Sequence, residues 1–543
     1  MCRRDGRLTL VIFSDEAQTG NVLQARQSRK ANLAFFAFLE MPALHIDAMW
    51  LPLCAMLAKT VRDAQTTCAA VMRAVLEATR AEIDAGFPVP VNGQPTLLFV
   101  DSCVLLGDHE GLRSLSGCKG ASGLKPCLRC CNVLAKGRAL PPGYVGLASS
   151  DADAFRLQTD AGLAETLVYL KGCRAKKALQ ESETLLGWNA GALESSVLAS
   201  PQLKGWVSLD SLYFDQMHEL WSNGVVCQEL GLWYTSLVDA GINITLLRRW
   251  VGIGWRAPDR RNLLLHFADA LWKRGQDYKG DASACLAALP LCAAFSTEVV
   301  DVHPSMRRAT TSLLRLYAAT TKLMAAKADI AQVAGLSALL EKHHTAFVAA
   351  YGADEVRPKM HYLKHIPAQG ERWQRILDCF VGERKHRRFK SEYGPRLCAL
   401  HSLPRSALLH QVKGELATDS QAEQWHGRLL GAPRTCVRKA RALRLPPGAA
   451  VGTGLEYRAV TYKSGAFLVI SPKTAVQVRG GVEASGDLWL LVEALHPGPK
   501  AYEAWPTWQR GAGQLALLPV REAYPCEPLR LAREGLNSIL LLR

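Results

Sequence analysis

Three acidic residues, far apart along the chain, are the first candidates for chemistry. Asp15 and Asp108 each follow a short apolar run typical of a buried strand, and Glu383 opens a predicted helix. A pocket for two divalent metal ions needs carboxylate oxygens that converge from different elements, and these acids could supply them. The alternative is that they are ordinary surface acids, because solvent and the helix dipole also favour carboxylates at such ends.

A pair of cysteines separated by two residues, Cys127 and Cys130, has the spacing of half a zinc site. Structural zinc takes four cysteine or histidine ligands, and the nearby sequence offers no second pair of this kind. His218 or Cys173 could complete the site through space. The alternative is a loop with reduced, half-buried cysteines. A thioredoxin-like redox role is disfavoured, because a loop rich in glycine and proline precedes the pair.

Two histidines four residues apart, His361 and His365, would share one face of a helix. Pro358 and Pro367 flank them, so an extended or irregular loop is an equal alternative. We therefore favour a role in positioning a loop beside the acids, or in contacting phosphate, over metal ligation.

A dense run of basic residues follows Glu383 directly. A helix turns by about 100° per residue, so these side chains cannot all face one way, and some would point toward the acids. Beside a carboxylate cluster such charge suits the binding of DNA phosphates, whereas a solvated cationic helix is the usual alternative. The predicted DNA-contacting residues are Arg384, Lys385, Arg387 and Arg388.

The elements that must position the acids alternate between strand and helix patterns. Apolar runs predict strands at 8–13, 32–39, 44–53 and 96–100, and apolar residues at helical spacing predict a helix over 66–83. The order is strand, strand, strand, helix, strand. One acid thus follows the first strand and another follows the fourth.

The composition limits the class of protein. Of 543 residues 49% are hydrophobic and 21% are charged, which excludes a collagen-like, low-complexity or disordered chain. The 65 basic and 49 acidic residues give a net charge of +16, which favours polyanionic partners, chiefly nucleic acid. No membrane span is expected, because the apolar stretch 282–297 is short, contains Pro290 and indicates a buried helix. The 16 cysteines are too sparse for a disulfide scaffold and favour a reducing compartment.

Four blocks of sequence, in the same order, resemble the core of CACTA (En/Spm-like) transposases. They are Phe13-Ser-Asp-Glu16 with the segment that runs to Lys30, Phe99 to Cys131 with its P-C-x-x-C, Phe214 to Gly224 with D-x-M-H, and Arg357 to Pro367 with P-K-x-H-x-x-x-H-x-P, followed by Gly382-Glu383-Arg384. Each block alone is a weak signal. Together they span residues 8 to about 395 and make a specific match.

The resemblance implies metal-dependent cut-and-paste DNA chemistry. Asp15, Asp108 and Glu383 take the places of the three catalytic acids, which would bind Mg²⁺ or Mn²⁺ for in-line attack on a phosphodiester. Asp215 and His218 match the D-x-x-H signature between the second and third acids. DNA is then the partner and the nucleus the expected location; self-association into a homo-oligomer is left open, and no membrane partner is expected.

The implied fold is α/β: a ribonuclease H-like catalytic core interrupted by a large helical insertion and followed by a small C-terminal all-β domain. Five segments are predicted along the chain. They are 1–135, the first part of the core with Asp15, Asp108 and the cysteine loop; 136–210, a linker and irregular segment; 211–375, a mainly helical insertion; 376–445, the last catalytic helix and helical closure of the core; and 446–543, the β-rich domain.

Fourteen residues precede Asp15, so we expect an N-terminally shortened or domesticated member of this family. The alternative function is a domesticated, non-catalytic DNA- or chromatin-binding protein that keeps the fold and the positive charge. In an active site the carboxylates of Asp15, Asp108 and Glu383 should lie within about 7 Å of one another, since they share two metal ions. Divergent carboxylates would favour the binding protein.

Overall fold

The computed structural model shows a mixed α/β protein with two compact units. The first unit is Met1–Val225 with Ile330–Ala417, and the second unit is Val226–Asp329 with Thr418–Arg543. The described residues are 7–18, 30–41, 44–64, 66–91, 94–120, 123–135, 140–151, 153–256, 262–300, 303–388, 427–431, 445, 449–457, 460–471, 474–497, 507–523, 531–534 and 539–542.

Strands and helices alternate through the first unit, and strands dominate the end of the chain. The described strands are β1 Arg7–Gln18, β2 Lys30–Phe38, β3 Leu51–Leu57, β4 Phe87–Val91, β5 Gln94–Gly107, β6 Val133–Leu134, β7 Val145–Gly146, β8 Leu212–Phe214, β9 Trp255–Arg256, β10 Arg428–Leu430, β11 Ala450–Gly452, β12 Gly454–Tyr457, β13 Val460–Lys463, β14 Phe467–Ser471, β15 Thr474–Ala484, β16 Asp487–Pro497, β17 Thr507–Pro519, β18 Leu531–Glu534 and β19 Ile539–Leu542. The described α-helices are α1 Ala58–Asp63, α2 Cys68–Ile83, α3 His109–Ser116, α4 Asp160–Gly172, α5 Lys176–Leu186, α6 Ala190–Glu194, α7 Val225–Asp239, α8 Ile244–Gly254, α9 Ala282–Phe295, α10 Arg307–Ala328, α11 Leu336–Tyr351, α12 Pro358–Tyr362, α13 Ile366–Trp373, α14 Phe380–Arg388 and α15 Val520–Ala523.

A mixed sheet with β1 at its centre forms the core of the first unit. Its order is β3-β2-β1-β5, with β4 beside the first half of β5 and β8 beside the carboxyl end of β5. Strands β2 and β3 run antiparallel to their neighbours, whereas β5 runs parallel to β1 and β8 parallel to β5. The continuous apolar run 8–13 is buried throughout, as expected of a central strand covered on both faces.

Most predicted elements around the sheet are present, with shifted ends. The helix predicted over 66–83 is α2, and the Thr67 hydroxyl accepts a hydrogen bond from the backbone N–H of Ala70 to cap it. The strand predicted over 44–53 begins only at Leu51. The reason is a 3₁₀ turn at Asp47–Met49. The indole N–H of Trp50, the next residue, donates a hydrogen bond to the Leu44 carbonyl at 2.8 Å and fixes this turn.

The division into units differs from the five predicted segments. The predicted linker 136–210 contains α4, α5 and α6, and it belongs to the first unit. The predicted insertion 211–375 does not stay together, because Ile330–Ala417 returns to the first unit with α11, α12 and α13. The predicted helical closure of the core falls mostly on 389–426 and 432–444, outside the described residues.

The second unit combines helices with an antiparallel sheet near the C-terminus. The sheet order is β11-β15-β16-β17-β19-β18-β9, with β14 beside β15, and β10, β12 and β13 form a smaller sheet. An α/β protein with a separate β-rich region at its end is thus confirmed. The apolar stretch predicted as a buried helix is α9, with Pro290 inside it and most of its side chains buried.

Two stretches of described helix pass a length-and-composition test for a membrane span. One is Ala282–Val300, of which 72% of the apolar window is buried inside the protein. The other is the pair Met217–Asp239 and Ile244–Gly254, which passes only when the two helices are taken together and is bent by 112°. A core helix of a protein without membrane spans passes the same test.

The buried His344 of α11 should make the first unit sensitive to acid. Its Nε2 donates to the Ala148 carbonyl at 2.9 Å, and burial, with help from the charge of Lys364, lowers its pKa from 6.5 to about 4. Between pH 6.5 and 4 the unfolded chain binds a proton that the folded chain does not. The free energy of unfolding therefore decreases as the pH is lowered through this range, by at most about 3 kcal/mol. In urea unfolding at pH 7 and 4.5, His344→Gln should lose less stability than the wild type; an equal loss would contradict the assignment.

Candidate metal centres

Asp108 directly follows β5, and Asp15 lies near the carboxyl end of the parallel neighbour β1, with three strand residues after it. The register of β1 and β5 pairs Phe13 with Leu106, so two residues further along Asp15 is level with Asp108. Asp108 is also the N-cap of α3, where Oδ1 accepts a hydrogen bond from the backbone N–H of Gly111 at 2.6 Å. The end of β5 and the start of α3 therefore fix this side chain beside Asp15.

The pKa of Asp108 reflects a crowded acidic environment. Burial raises the pKa of Asp108, and the charges of Asp15 and Asp215 raise it further; the Gly111 N–H and His218 oppose them. A carboxyl group in such surroundings gains from a bound cation, because the cation offsets both the burial and the repulsion between like charges.

Helix α14 brings Glu383 to Asp15. Gly382 packs directly on the ring of Phe13 in β1, where a Cβ would lie 2.1 Å from a ring carbon. Only glycine allows the helix to come this close to the sheet. Asp15, Glu383 and His386 each place one ligand atom within 4.8 Å of the others, and we call them, together with Asp108, the acid cluster.

Sequence reasoning placed His386 in a basic run and missed its position. The side chain is buried against Phe13 and Phe35, and Nδ1 lies 3.3 Å from Asp15 Oδ2. Among the described residues neither ring nitrogen makes a hydrogen bond. The spacing of three from Glu383 was the available signal, since residues i and i+3 share a helix face.

Replacing Gly382 by Ala should push α14 away from β1. A methyl group at 2.1 Å from the ring cannot be accommodated without a shift, so we expect a loss of about 1–3 kcal/mol in unfolding free energy and weaker Mn²⁺ binding. Thermal unfolding and Mn²⁺ titration measure the two effects. Gly172→Ala is the control, because nothing lies within 4 Å of a Cβ there. Equal behaviour of the two variants would show that the contact does not position Glu383.

Asp215 is buried, and its carboxylate is saturated by hydrogen bonds. Oδ1 accepts from the backbone N–H groups of Met217 and Cys379 at 3.0 and 2.8 Å. Oδ2 accepts from the backbone N–H and the ring Nδ1 of His218. A carboxylate offers about four lone-pair sites, so this one has none left for a metal ion. Its role is to orient His218.

His218 links this saturated carboxylate to the third acid. Its Nε2 lies 3.5 Å from Glu383 Oε1. Burial lowers the pKa of His218, but the hydrogen bonds to Asp215 and Glu383 and the charges of Asp215 and Asp108 outweigh burial and raise it to about 10. The two residues of the predicted D-x-x-H signature therefore lie beside the acid cluster and direct a positive charge toward it.

Glu219, the next residue, was not identified from the sequence. It lies in a π-helical turn, Met217–Trp221, is fully buried, and neither carboxyl oxygen has a hydrogen-bond partner among the described residues. Burial raises its pKa to about 8, and the charge of Lys359 opposes the shift. Its place next to the signature was the only sequence signal.

The predicted DNA-contacting residues differ in their exposure. Arg384 is exposed and forms an ion pair with Asp47 at 3.0 Å, and Arg387 is exposed. Lys385 is only 4% exposed, with its ammonium over an aromatic ring of β2, so the prediction that it faces DNA does not fit its position. It lies on the helix face that packs against the sheet. The side chain of Arg388 lies outside the described residues.

A second cluster, the cysteine–histidine cluster, is formed by Cys127, Cys130, His361 and His365. All four are buried, and one ligand atom of each lies within 4.8 Å of the others. His365 Nε2 is 3.3 Å from Cys127 Sγ, 3.5 Å from Cys130 Sγ and 3.2 Å from His361 Nε2. Two thiols and two imidazoles form a common four-ligand set for structural zinc.

Protonation of these residues fits a zinc site. Burial alone would raise the pKa of the Cys127 thiol, but Cys130 and the two imidazoles lower it well below its ordinary value. Burial lowers the pKa of His361. Zinc binds thiolate sulfur and neutral imidazole nitrogen, which are the forms that the shifts of Cys127 and His361 favour, whereas the hydrogen bond with Cys127 and burial raise the pKa of the Cys130 thiol.

The structure decides between the alternatives left open for the histidines. Pro358 is the first residue of α12 and Pro367 lies in the first turn of α13, so both prolines begin helices and do not break one. The two histidines lie beside the cysteine pair, which favours metal ligation over the predicted role of positioning a loop or contacting phosphate. Neither candidate fourth ligand, His218 or Cys173, is in the cluster: His218 faces Glu383.

The sequence contained this cluster as two separate motifs, one with the two cysteines and one with the two histidines. The spacings C-x₂-C and H-x₃-H are each typical of zinc sites, but Cys127 and His365 are 238 residues apart.

Comparison with known proteins finds no family model and no curated protein that matches the chain. Among the described residues, the first unit therefore offers a partly exposed acid cluster and a buried cluster of thiols and imidazoles as candidate sites.

Proposed function

We propose that the protein is a CACTA-like transposase or nuclease that cleaves and joins DNA strands at two divalent metal ions, Mg²⁺ or Mn²⁺, held by Asp15, Asp108 and Glu383. The observation that carries this proposal is that Asp15 and Glu383 come together from β1 and α14, with Asp108, the N-cap of α3, close enough to Asp15 for their charges to interact. Asp15 and Glu383 have ligand atoms within 4.8 Å, and Asp108 is near enough for the Asp15 charge to raise its pKa. Their roles stay predictions until cleavage is measured.

The sheet of the first unit supports a ribonuclease H-like core. Three strands run antiparallel in the order β3-β2-β1, and β5 and β8 continue the sheet parallel to β1 on its other side. The first acid lies on the central strand β1 and the second directly follows its parallel neighbour β5, which fits the predicted positions of the two acids along the chain. The third acid comes from a helix packed on the sheet.

The side chains of the acid cluster have separable duties. Asp108 uses Oδ1 to cap α3, which leaves Oδ2 to bind a metal ion in this proposal. His218, locked by Asp215, holds Glu383 in place and balances negative charge when no cation is bound. Metal ions bound here would lower the pKa of an attacking water molecule and stabilise the leaving oxygen.

The cysteine–histidine cluster serves structure in this proposal. Zinc there would join the loop after α3 to the segment of α12 and α13. Helices α4 to α11 lie between these two segments along the chain. The net charge of +16 suits a DNA partner, and nuclear location and self-association are part of the same proposal.

Cleavage of labelled DNA by the purified chain, with Mg²⁺, with Mn²⁺ and with neither ion, tests the function. We expect nicking only with a divalent ion. A chain that binds DNA tightly but cuts nothing would favour the non-catalytic DNA- or chromatin-binding alternative.

A further inference from the structure

The carbonyl oxygen of Pro126 accepts two side-chain hydrogen bonds. His109 Nε2 lies 2.9 Å from it and the Tyr362 hydroxyl donates to it at 2.8 Å. A carbonyl oxygen has two lone pairs and no proton, so both donors bind at once and His109 carries its proton on Nε2.

The same residues belong to a stack of parallel rings. Tyr362 stacks on both His109 and Phe214, with ring centroids 4.5 and 5.0 Å apart and interplanar angles of 7° in both cases, and the rings of His109 and Phe214 are 6.4 Å apart. The ring of His365 lies 5.6 Å from Phe214. Stacked rings that are also hydrogen-bonded at one edge can neither slide nor rotate freely.

Every member of this arrangement is a chain neighbour of a candidate ligand or signature residue. His109 follows Asp108, Phe214 precedes Asp215, Tyr362 follows His361 and Pro126 precedes Cys127. A displacement in one cluster therefore reaches the other through backbone neighbours and one shared carbonyl.

We propose that His109 and Tyr362 are positioning residues that hold Asp108 in fixed relation to the cysteine–histidine cluster, so that this cluster sets the affinity of the acid cluster for divalent metal. The inference rests on the proposed function in one respect, the use of Asp108 as a metal ligand. Ordinary core packing would need only apolar rings. Here two polar groups from separate segments meet one backbone oxygen.

Mn²⁺ titration of the zinc-loaded chain, followed by electron paramagnetic resonance, tests the proposal without relying on cleavage. Tyr362→Phe keeps the stacked ring and removes only the hydroxyl, and His109→Leu removes the donor. Both should weaken Mn²⁺ binding about ten-fold, a typical effect of losing a group that orients a ligand, while zinc content stays unchanged. His109→Gln, which retains an N–H donor, should restore binding. Tyr169→Phe is the control, because that tyrosine is 59% exposed.

The outcomes separate this inference from the proposed function. Wild-type Mn²⁺ affinity in folded, zinc-loaded Tyr362→Phe overturns the positioning role, and this mild variant decides the matter even if His109→Leu does not fold. Mn²⁺ binding that Asp108→Asn weakens, without any DNA cleavage by the wild type, overturns the proposed function and leaves the positioning role standing. A wild-type chain that binds no Mn²⁺ overturns both.

Discussion

Asp108→Asn should abolish Mg²⁺-dependent nicking of DNA while the protein stays folded. Asparagine is as good an N-cap as aspartate, so the hydrogen bond from the Gly111 N–H can persist, but the negative charge that would hold a metal ion is lost. Loss of several kcal/mol of transition-state stabilisation predicts a decrease in rate of at least about 10³-fold. The measurement is the initial rate of conversion of supercoiled to nicked DNA at fixed Mg²⁺.

Asp281→Asn is the matched control for this variant. Asp281 caps α9 in the second unit and accepts from the Ala284 N–H at 2.7 Å, so the same chemical change is made at the same kind of helix end. Its nicking rate should equal that of the wild type. If Asp108→Asn still nicks DNA at the wild-type rate, the assignment of the second acid is wrong.

Cys127→Ser should remove zinc from the protein and destabilise the first unit. We expect about one zinc ion per wild-type chain and none in the variant, because a serine hydroxyl does not replace a thiolate in a structural site. Zinc binding to such sets contributes on the order of 10 kcal/mol in small domains, so a lower melting temperature is expected even in a larger fold. Metal analysis and thermal unfolding, with and without a chelator, measure both effects.

Cys131→Ser provides the comparison at the neighbouring position. Cys131 is half-buried and lies outside the cysteine–histidine cluster. Its zinc content and melting temperature should match the wild type. Zinc retained by Cys127→Ser, or absent from the wild type, would rule out the cluster as a zinc site.

The sheet and the two acids at the ends of its apolar runs were accessible from sequence, because both depend on local pattern. Continuous apolar runs identified the cores of β1, β2 and β5, and the acids after them were predicted from position alone. The place where helix α14 packs against the sheet was harder to predict from sequence. That Gly382 packs on Phe13 depends on three-dimensional contact and has no periodic signal.

The remaining site residues were hidden by chain distance and by burial. The ligands of the cysteine–histidine cluster come from segments 238 residues apart, and no periodicity relates such segments. Lys385 looked like a DNA contact because lysine is usually exposed, yet its long side chain here covers an aromatic ring. Glu219 is buried without a hydrogen-bond partner among the described residues, an arrangement that residue type argues against.

The first unit is built from two separate stretches of chain, and this has a consequence for synthesis on the ribosome. Asp15, Asp108 and both cysteines are made early, whereas Glu383 and both histidines emerge only after the second stretch begins at Ile330. At about 5–20 residues per second, roughly 20–70 s separate the first acid from the third. A nascent or prematurely terminated product that stops before Ile330 lacks Glu383 and both histidines, so each candidate centre is incomplete until the second stretch has been made.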